Sequence, residues 1–343
     1  MRKLLNTLYI NTENAYLSLD GENIVIQADE ETLGRIPIHT IEGIVAFSYI
    51  GASPALMGKC AEMNKSLVFM KPSGRFLAKV TGKSYGNILL RREQYRICDD
   101  AERSLNIAKN MISAKLANCS AVLSRAVRDH ELRIDTEKFR QTAENLKNSS
   151  ALAYKGMDAD SLRGLEGECA ARYFSVFDDM ILQQKEDFYF KSRSRRPPMD
   201  NVNAMLSFSY SLLTSICVSA LEAVGLDPYA GFFHTERPGR CSLALDLMEE
   251  FRAPFADRFV LTLINKKIIS AGDFIEKENG GILLTDDARK NFLTVWQQKK
   301  KEIITHPFLQ EKMEWGLLPY VQAMLLARYI RGDIDDYPPY IWK

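Results

Sequence analysis

The apolar pattern of the chain changes once, near residue 87, and this change constrains the fold more than any other feature. Before it, short segments rich in branched and aromatic residues alternate with polar turns, and LLNTLYI, AYLSL and NIVIQA are typical of strands. After it, apolar residues recur at helical spacing through long stretches with little Gly or Pro. Strands followed by helices favour an α+β protein over an alternating α/β fold. We therefore predict a small β-rich domain over 1–87 and a larger all-α domain over 88–343.

Charge and hydropathy exclude several classes of protein. A net charge of +1 argues against binding nucleic acid by bulk charge, although clustered basic residues could still bind DNA. The most apolar segment, NAMLSFSYSLLTSICVSALEAVG, contains many Ser and Thr residues, so we predict a buried core helix that ends at Gly225 rather than a membrane span. With no signal-peptide pattern, we expect a cytoplasmic protein without a membrane partner.

Glu166, in the segment LRGLEGECAARYF, is the first candidate for chemistry. On a helix it shares an apolar face with Cys169, Ala170 and Tyr173. A carboxylate on such a face is costly unless it is paired or binds a metal ion. The residue alone leaves three possibilities open: a metal ligand, a buried ion pair, or a partly exposed side chain.

His234 precedes a helix dense in acids and is the second candidate. Ser242 is predicted to cap this helix, on which Asp246 and Glu249 share one face. Carboxylates with a single imidazole suit Mg²⁺ or Mn²⁺, and such an ion activates phosphoryl groups. The alternative is a solvated acidic face whose carboxylates pair with arginines such as Arg252.

Basic residues cluster in three stretches, 71–128, 191–196 and 299–301. Aromatic residues are interleaved with the first stretch, a pattern that suits the tracking of a DNA backbone, although scattered surface charges are the alternative. The candidates for DNA contact are Arg91, Arg92, Arg195, Arg196 and Arg240.

Three segments in this order and spacing, LRGLEGECAARYF, RPPMDNVNAMLSFSYSLL and GFFHTERPGRCSLALDLMEEFR, resemble the CRISPR-associated endonuclease family, the integrase of CRISPR adaptation. The likeness extends over the whole chain, and the segments RREQY and DNVNAML look most like the type I-C branch. The resemblance implies an N-terminal β domain that mediates homodimerisation and a C-terminal helical catalytic domain.

The resemblance also implies which residues act. Glu166, His234 and Glu249 correspond to the family's catalytic metal ligands, with Glu249 where the family often has Asp, and Asp246 matches an accessory acid one turn earlier. Sequence leaves open which of Asp246 and Glu249 contacts the ion. Asn203, like Arg240, is a candidate for contacts near the site.

The function implied is insertion of short DNA fragments, the spacers, into a CRISPR array. A 3′-hydroxyl of the double-stranded fragment attacks a phosphodiester of the repeat, and the same site cleaves branched DNA. The implied partners are DNA, a small ferredoxin-like adaptation protein and, in the type I-C branch, an end-processing nuclease. Two alternatives stay open: a stand-alone structure-specific nuclease of DNA repair, and a non-catalytic DNA-end-binding scaffold whose acids are spaced for salt bridges and bind no ion.

Overall fold

The computed structural model describes residues 7–12, 14–29, 31–47, 50–71, 76–80, 82 and 88–342. A β-rich N-terminal part precedes a helical part, which confirms the predicted α+β class. The predicted domain boundary at residue 87 falls in the segment 83–87, outside the described residues.

The N-terminal part contains two small sheets and a helix. Its elements are β1 (Thr7–Ile10), β2 (Tyr16–Asp20), β3 (Asn23–Ala28), β4 (Glu31–Pro37), a 3₁₀ turn (Ile38–Thr40), β5 (Gly43–Ala46), α1 (Pro54–Glu62), β6 (Ser66–Met70) and β7 (Phe76–Val80). One sheet has the order β1-β5-β6-β7, in which the first two pairs are parallel and the last is antiparallel. The other is an antiparallel meander of β2, β3 and β4.

Local sequence explains how this part folds. Gly21 adopts a φ of +59° in the two-residue turn between β2 and β3, where a residue without Cβ is favoured. Leu17 and Ile24 on these strands are fully buried, in keeping with alternate residues facing one side of a sheet. Ser53 caps α1, since its Oγ accepts a hydrogen bond from the Leu56 N–H at 3.2 Å.

The helical part is built around two long helices, α3 and α6. Its helices are α2 (Ile88–Asp99), α3 (Ala101–His130), α4 (Thr136–Lys155), α5 (Ala159–Ser175), α6 (Asn201–Val224), α7 (Ser242–Met248), α8 (Arg258–Asn265), α9 (Asp286–Lys300) and α10 (Leu318–Ile330). A π-helical segment (Arg252–Asp257) precedes α8, and 3₁₀ turns lie at Asp178–Met180, Ala271–Asp273 and Trp315–Leu317. Two short antiparallel hairpins that the all-α expectation did not include interrupt the helices: β8 (Phe274–Glu276) with β9 (Ile282–Leu284), and β10 (Ile303–Thr305) with β11 (Lys312–Glu314).

Helix α6 is the one helix of the described ranges that is long and apolar enough to cross a membrane. It lies in the core, where it packs against α7 and α10, and Met205, Leu206 and Cys217 on it are fully buried. It ends at Gly225, which adopts a left-handed conformation with φ +89°. The predicted core helix and its end are therefore confirmed.

Helix α2 holds the loop that leads to His234. The buried Gln94 donates from Nε2 to the carbonyls of Asp227 (2.8 Å) and Ala230 (2.9 Å), and its Oε1 accepts from the Asp227 N–H at 2.9 Å. At Gly231 any Cβ would lie 2.7 Å from the Ser242 Cβ, so the loop approaches α7 closely because this position has no side chain.

The predicted cap at Ser242 is wrong. Ser242 is the first residue of α7, its N-cap is Cys241, and neither makes a side-chain capping bond. The Ser242 Oγ instead lies 3.3 Å from the Thr235 carbonyl. The carbonyl of Pro228 accepts the N–H groups of the next two residues of α7, at 3.0 and 3.2 Å. A carbonyl from the preceding loop thus replaces the capping side chain.

Candidate active site

The predicted acids Glu166 and Glu249 meet at one buried lysine. Glu166 lies in the middle of α5, and Glu249 directly follows α7. Lys115, from the middle of α3, places its Nζ 2.7 Å from Oε2 of Glu249 and also pairs with Oε1 of Glu166. Lys115 is 6% exposed and Glu249 is 3% exposed. Two carboxylates that are remote in sequence therefore share one cation in the interior.

Arg252 completes the charge cluster around Glu249. Its Nη1 donates to both carboxylate oxygens, at 2.8 and 3.1 Å. Burial by itself would raise the pKa of Glu249, but Arg252 and then Lys115 lower this pKa from 4.5 to about 2. Burial likewise opposes the charged form of Lys115, but Glu249 and Glu166 raise its pKa. The salt-bridge alternative of the sequence is thus seen at Arg252, although Glu249 is buried rather than solvated.

Asp246 contacts the loop that carries His234. Its Oδ2 accepts the N–H groups of Phe232 (2.7 Å) and Phe233 (3.0 Å), and its Oδ1 accepts the N–H of His234 (2.9 Å). The Nδ1 of His234 lies 2.6 Å from the same Oδ1. Because a carboxylate that already accepts three N–H groups is an acceptor, Nδ1 carries a proton, and in the neutral ring the lone pair is then on Nε2. Asp246 therefore orients both the imidazole and its tautomer.

The side chains of Glu166, Glu249 and His234 are of the chemical types that bind a hard divalent ion. In the part of the chain that the structure describes, no three His, Cys, Asp or Glu side chains are grouped closely enough to hold an ion as they stand. The ammonium of Lys115 lies where Glu166 and Glu249 converge and acts there as a stand-in cation. The ring of His234 lies near Glu249, close enough for a Coulombic interaction between the two side chains. Two converging carboxylates and one neutral imidazole suit Mg²⁺ or Mn²⁺.

Sequence reasoning placed Lys115 only among the basic residues of the 71–128 stretch and missed its place beside the acids, and it missed Tyr210. Lys115 occupies an apolar stripe of α3 with Met111 and Cys119, and a charged residue in such a stripe was the available signal. Tyr210 lies beneath Arg252, whose guanidinium is 4.5 Å from the ring centroid. Its hydroxyl donates to Oδ1 of the buried Asp257 at 2.5 Å, so the cluster extends into the π-helical segment.

The predicted DNA contacts differ in exposure. Arg92, Arg195 and Arg196 are exposed. Arg91 is half-buried, and its Nε donates to the Gly225 carbonyl at 3.1 Å, at the end of α6. Arg240, also half-buried, has its Nη1 3.4 Å from a carbonyl of its own loop. Three of the five candidates are therefore exposed, whereas the other two contact backbone carbonyls, at Gly225 and Thr235.

Asn203 holds the basic loop rather than the acids. It is fully buried, and its Oδ1 accepts from Nη1 of Arg193 at 2.6 Å. Its Nδ2 donates to the Ser192 carbonyl at 2.8 Å. The guanidinium of Arg193 also faces the Tyr210 ring, at 5.3 Å from the centroid. The loop that presents Arg195 is thereby connected to the aromatic ring beneath Arg252.

Comparison with known proteins shows which proteins the whole chain is similar to. A family model described as CRISPR associated protein Cas1 matches residues 8–298. The chain is 48% identical over 343 residues to a CRISPR-associated endonuclease Cas1 of Chlorobaculum tepidum, and the match covers 100% of each chain. It is 34% identical over 341 residues to a CRISPR-associated exonuclease Cas4/endonuclease Cas1 fusion of Geobacter sulfurreducens, which covers 98% of this chain and 60% of the fusion.

A solved structure of a casposase bound to its integration product has a similar fold. Its TM-score is 0.82 at 24% identity, and the match covers 98% of this chain and 94% of that one. At this identity the likeness concerns the fold alone. It extends over both the β-rich part and the helical part.

Proposed function

The chain belongs to the CRISPR-associated Cas1 family of endonucleases, and from this premise we propose that it is a divalent-metal-dependent DNA integrase and endonuclease of CRISPR adaptation. In the proposed reaction, the 3′-hydroxyl of a short double-stranded DNA fragment attacks a phosphodiester of the CRISPR repeat, and the repeat strand leaves with a new 3′-hydroxyl. The observation that carries the proposal is the convergence of Glu166 and Glu249 on one buried cation beside His234.

Glu166, His234 and Glu249 would hold the Mg²⁺ or Mn²⁺ ion. When bound, such an ion polarises a phosphoryl oxygen and stabilises the charge that develops on it. His234 offers Nε2, because Asp246 keeps the proton on Nδ1. Glu249 shares the Lys115 cation with Glu166, whereas Asp246 accepts the N–H groups of the His234 loop. This difference favours Glu249 as the direct ligand and Asp246 as a positioning residue.

Exposed arginines are proposed to hold the DNA backbone. Arg92, Arg195 and Arg196 present guanidinium groups that suit phosphate contact. Arg91 and Arg240 are proposed to act near the same backbone while they support their loops. Such contacts position a duplex without reading its sequence.

The proposed partners follow from the family. One is a small ferredoxin-like adaptation protein, and another is an end-processing nuclease, which the Cas4 fusion of the Geobacter sulfurreducens relative supports. A homodimer that forms through the N-terminal β domain, membership of the type I-C branch and a cytoplasmic location, where the DNA is, belong to the same proposal.

A strand-transfer assay tests the proposed function. Wild-type protein is expected to join a short duplex with 3′-hydroxyl ends to supercoiled DNA that contains a repeat, in the presence of Mn²⁺ or Mg²⁺. Glu166→Ala and His234→Ala are expected to lose joining and keep DNA binding. His130→Ala, at the exposed end of α3, is the matched control and should join at the wild-type rate. Wild-type rates in both site variants would refute the site.

A non-catalytic DNA-end scaffold is the second candidate, because Glu166 and Glu249 are both engaged in salt bridges. It predicts DNA binding by wild-type protein with no joining under either ion. Any joining that His234→Ala abolishes rejects the scaffold.

A further inference from the structure

Lys115 is the feature of the site that the proposed function does not use. Its ammonium contacts one carboxylate from α5 and one from the end of α7, so it joins two elements remote in sequence. Its side chain is 8% exposed and that of Glu249 is 4% exposed, whereas that of Glu166 is 23% exposed. The cluster is therefore reached from solvent on the side of Glu166.

The contacts leave few carboxylate oxygens free. Oε2 of Glu249 receives both Lys115 and Arg252, and Oε1 of Glu249 receives Arg252. Oε1 of Glu166 receives Lys115. A divalent ion bound to both carboxylates must lie about 2.1 Å from an oxygen of each, and the ammonium, 2.7 Å from Oε2 of Glu249, already fills that space.

Charge balance leads to the same conclusion. Lys115 and Arg252 balance Glu166 and Glu249, so the ion-free cluster is neutral. A divalent ion would add two positive charges in a poorly solvated place, next to an ammonium that repels it. The ammonium ends a flexible four-carbon stem and can withdraw, whereas the guanidinium of Arg252 is held between Glu249 and the Tyr210 ring.

We infer that Lys115 is an internal cation that holds Glu166 and Glu249 together before an ion arrives and competes with the divalent ion for them. This inference rests on the proposed metal site. Lys115 is then a positioning residue with two consequences: it stabilises the ion-free protein, and it raises the ion concentration at which the site fills.

A Mn²⁺ titration followed by electron paramagnetic resonance tests this inference without any assay of joining. Lys115→Met is expected to bind Mn²⁺ about tenfold or more tightly than wild type, because the competing charge is gone. Lys109→Met, on the same helix and without contact to either acid, is the matched control and should bind like wild type. Thermal melting gives a second readout. Without ion, Lys115→Met should melt at a lower temperature than wild type. Saturating Mn²⁺ should raise the melting temperature of Lys115→Met by more than it raises that of wild type.

Two further variants keep the test decisive if Lys115→Met does not fold. Lys115→Gln retains a donor to one carboxylate without the charge and should also tighten Mn²⁺ binding. Lys115→Arg retains the charge and should stay within a few-fold of wild type.

Equal or weaker Mn²⁺ binding by folded Lys115→Met and Lys115→Gln would overturn the inference alone, provided that wild type binds Mn²⁺ and joins DNA. No Mn²⁺ binding by wild type, with no joining under either ion, would reject the proposed metal site, and the inference would fall with it.

Discussion

Glu249 and Glu250 are adjacent and fully enclosed, yet the protein surrounds them in opposite ways. Glu249 faces the cations Lys115 and Arg252, which lower its pKa to about 2 although burial alone would raise it. For Glu250, the effect of burial exceeds that of its hydrogen bonds and raises the pKa to about 7. At neutral pH the end of α7 therefore carries one fixed negative charge on one side and a carboxyl group near its titration point on the other.

The Glu250 pocket is made by the C-terminal segment. Its carboxyl group accepts from the Tyr337 hydroxyl (2.5 Å), the Tyr340 N–H (2.7 Å) and Nε2 of Gln322 (2.9 Å). Oε1 of Gln322 in turn contacts Nε2 of His306 at 2.9 Å. Uncharged donors satisfy the Glu250 carboxyl group without fixing its charge, so its contacts anchor the C-terminal segment. The Glu249 cluster, in which cations fix the charge, is the one suited to chemistry.

The largest expected effect separates the two carboxyls by activity. Glu249→Gln is expected to lower DNA joining by about 100-fold or more, because a direct ligand should matter more than the partners around it. Glu250→Gln keeps one oxygen that can accept from the Tyr340 N–H and Gln322 Nε2, and the Tyr337 hydroxyl can turn to accept from the new amide. This variant should join within a few-fold of wild type. The measurement is the strand-transfer rate per folded molecule, and a comparable loss in both variants would show that the two pockets act as one.

A pH dependence of stability tests the Glu250 side. Its pKa rises from 4.5 in the unfolded chain to about 7 in the folded one, so the folded state binds the proton more tightly. The stability that this gives is complete below about pH 4.5 and is lost as the pH rises through 7, by up to roughly 3 kcal/mol.

Urea unfolding of wild type and Glu250→Gln, both without ion, measures this dependence between pH 5 and 8. Taking the unfolding free energy of wild type minus that of the variant cancels the contributions of other titrating groups. This difference should fall as the pH rises, because only wild type loses the stability that protonated Glu250 gives. A constant difference would mean that Glu250 titrates near its unperturbed value and that the two pockets differ less than their geometry suggests.

Local patterns made Glu166 and His234 candidates, but the family resemblance was needed to join them with Glu249 in one proposed site. Glu166 lies on an apolar helical face, and His234 precedes a helix that bears acids. Lys115 could not be paired in this way, since its contacts with Glu166 and Glu249 depend on how α3 packs against two other elements. The same holds for Tyr337, whose hydroxyl contacts Glu250, a residue 87 positions away.

Short-range errors had a different cause. The strands β8 to β11 have three residues each, too few to show an alternating pattern, and they lie among helices. Ser242 looked like a cap because its residue type and position suit one, but the close approach of Gly231 lets the Pro228 carbonyl take that role. The order of strands and helices was predictable because it depends on periodicity over many residues.

Asp246, on α7 itself, is a third buried acid to compare, and backbone N–H groups rather than side-chain cations contact it. Asp246→Asn is expected to lower joining by about 10- to 100-fold, since an amide cannot both accept the loop N–H groups and fix the His234 tautomer. Mn²⁺ affinity should fall in parallel. Asp273→Asn, at a 3₁₀ turn, is the control and should leave both unchanged. A greater loss for Asp246→Asn than for Glu249→Gln would make Asp246 the direct ligand.

The smallest expected effect concerns the Tyr337 hydroxyl. Tyr337→Phe removes one of the donors to Glu250 and is expected to lower the free energy of unfolding by about 1 kcal/mol, because the remaining donors still satisfy the carboxyl group. Urea unfolding measures the loss, and Tyr154→Phe, at an exposed tyrosine, is the matched control. Joining per folded molecule should not change, because the Glu249 cluster keeps its contacts. A drop in joining without a change in stability would show instead that the C-terminal segment sets the position of Glu249. The contacts around Glu250 would then affect activity through Glu249.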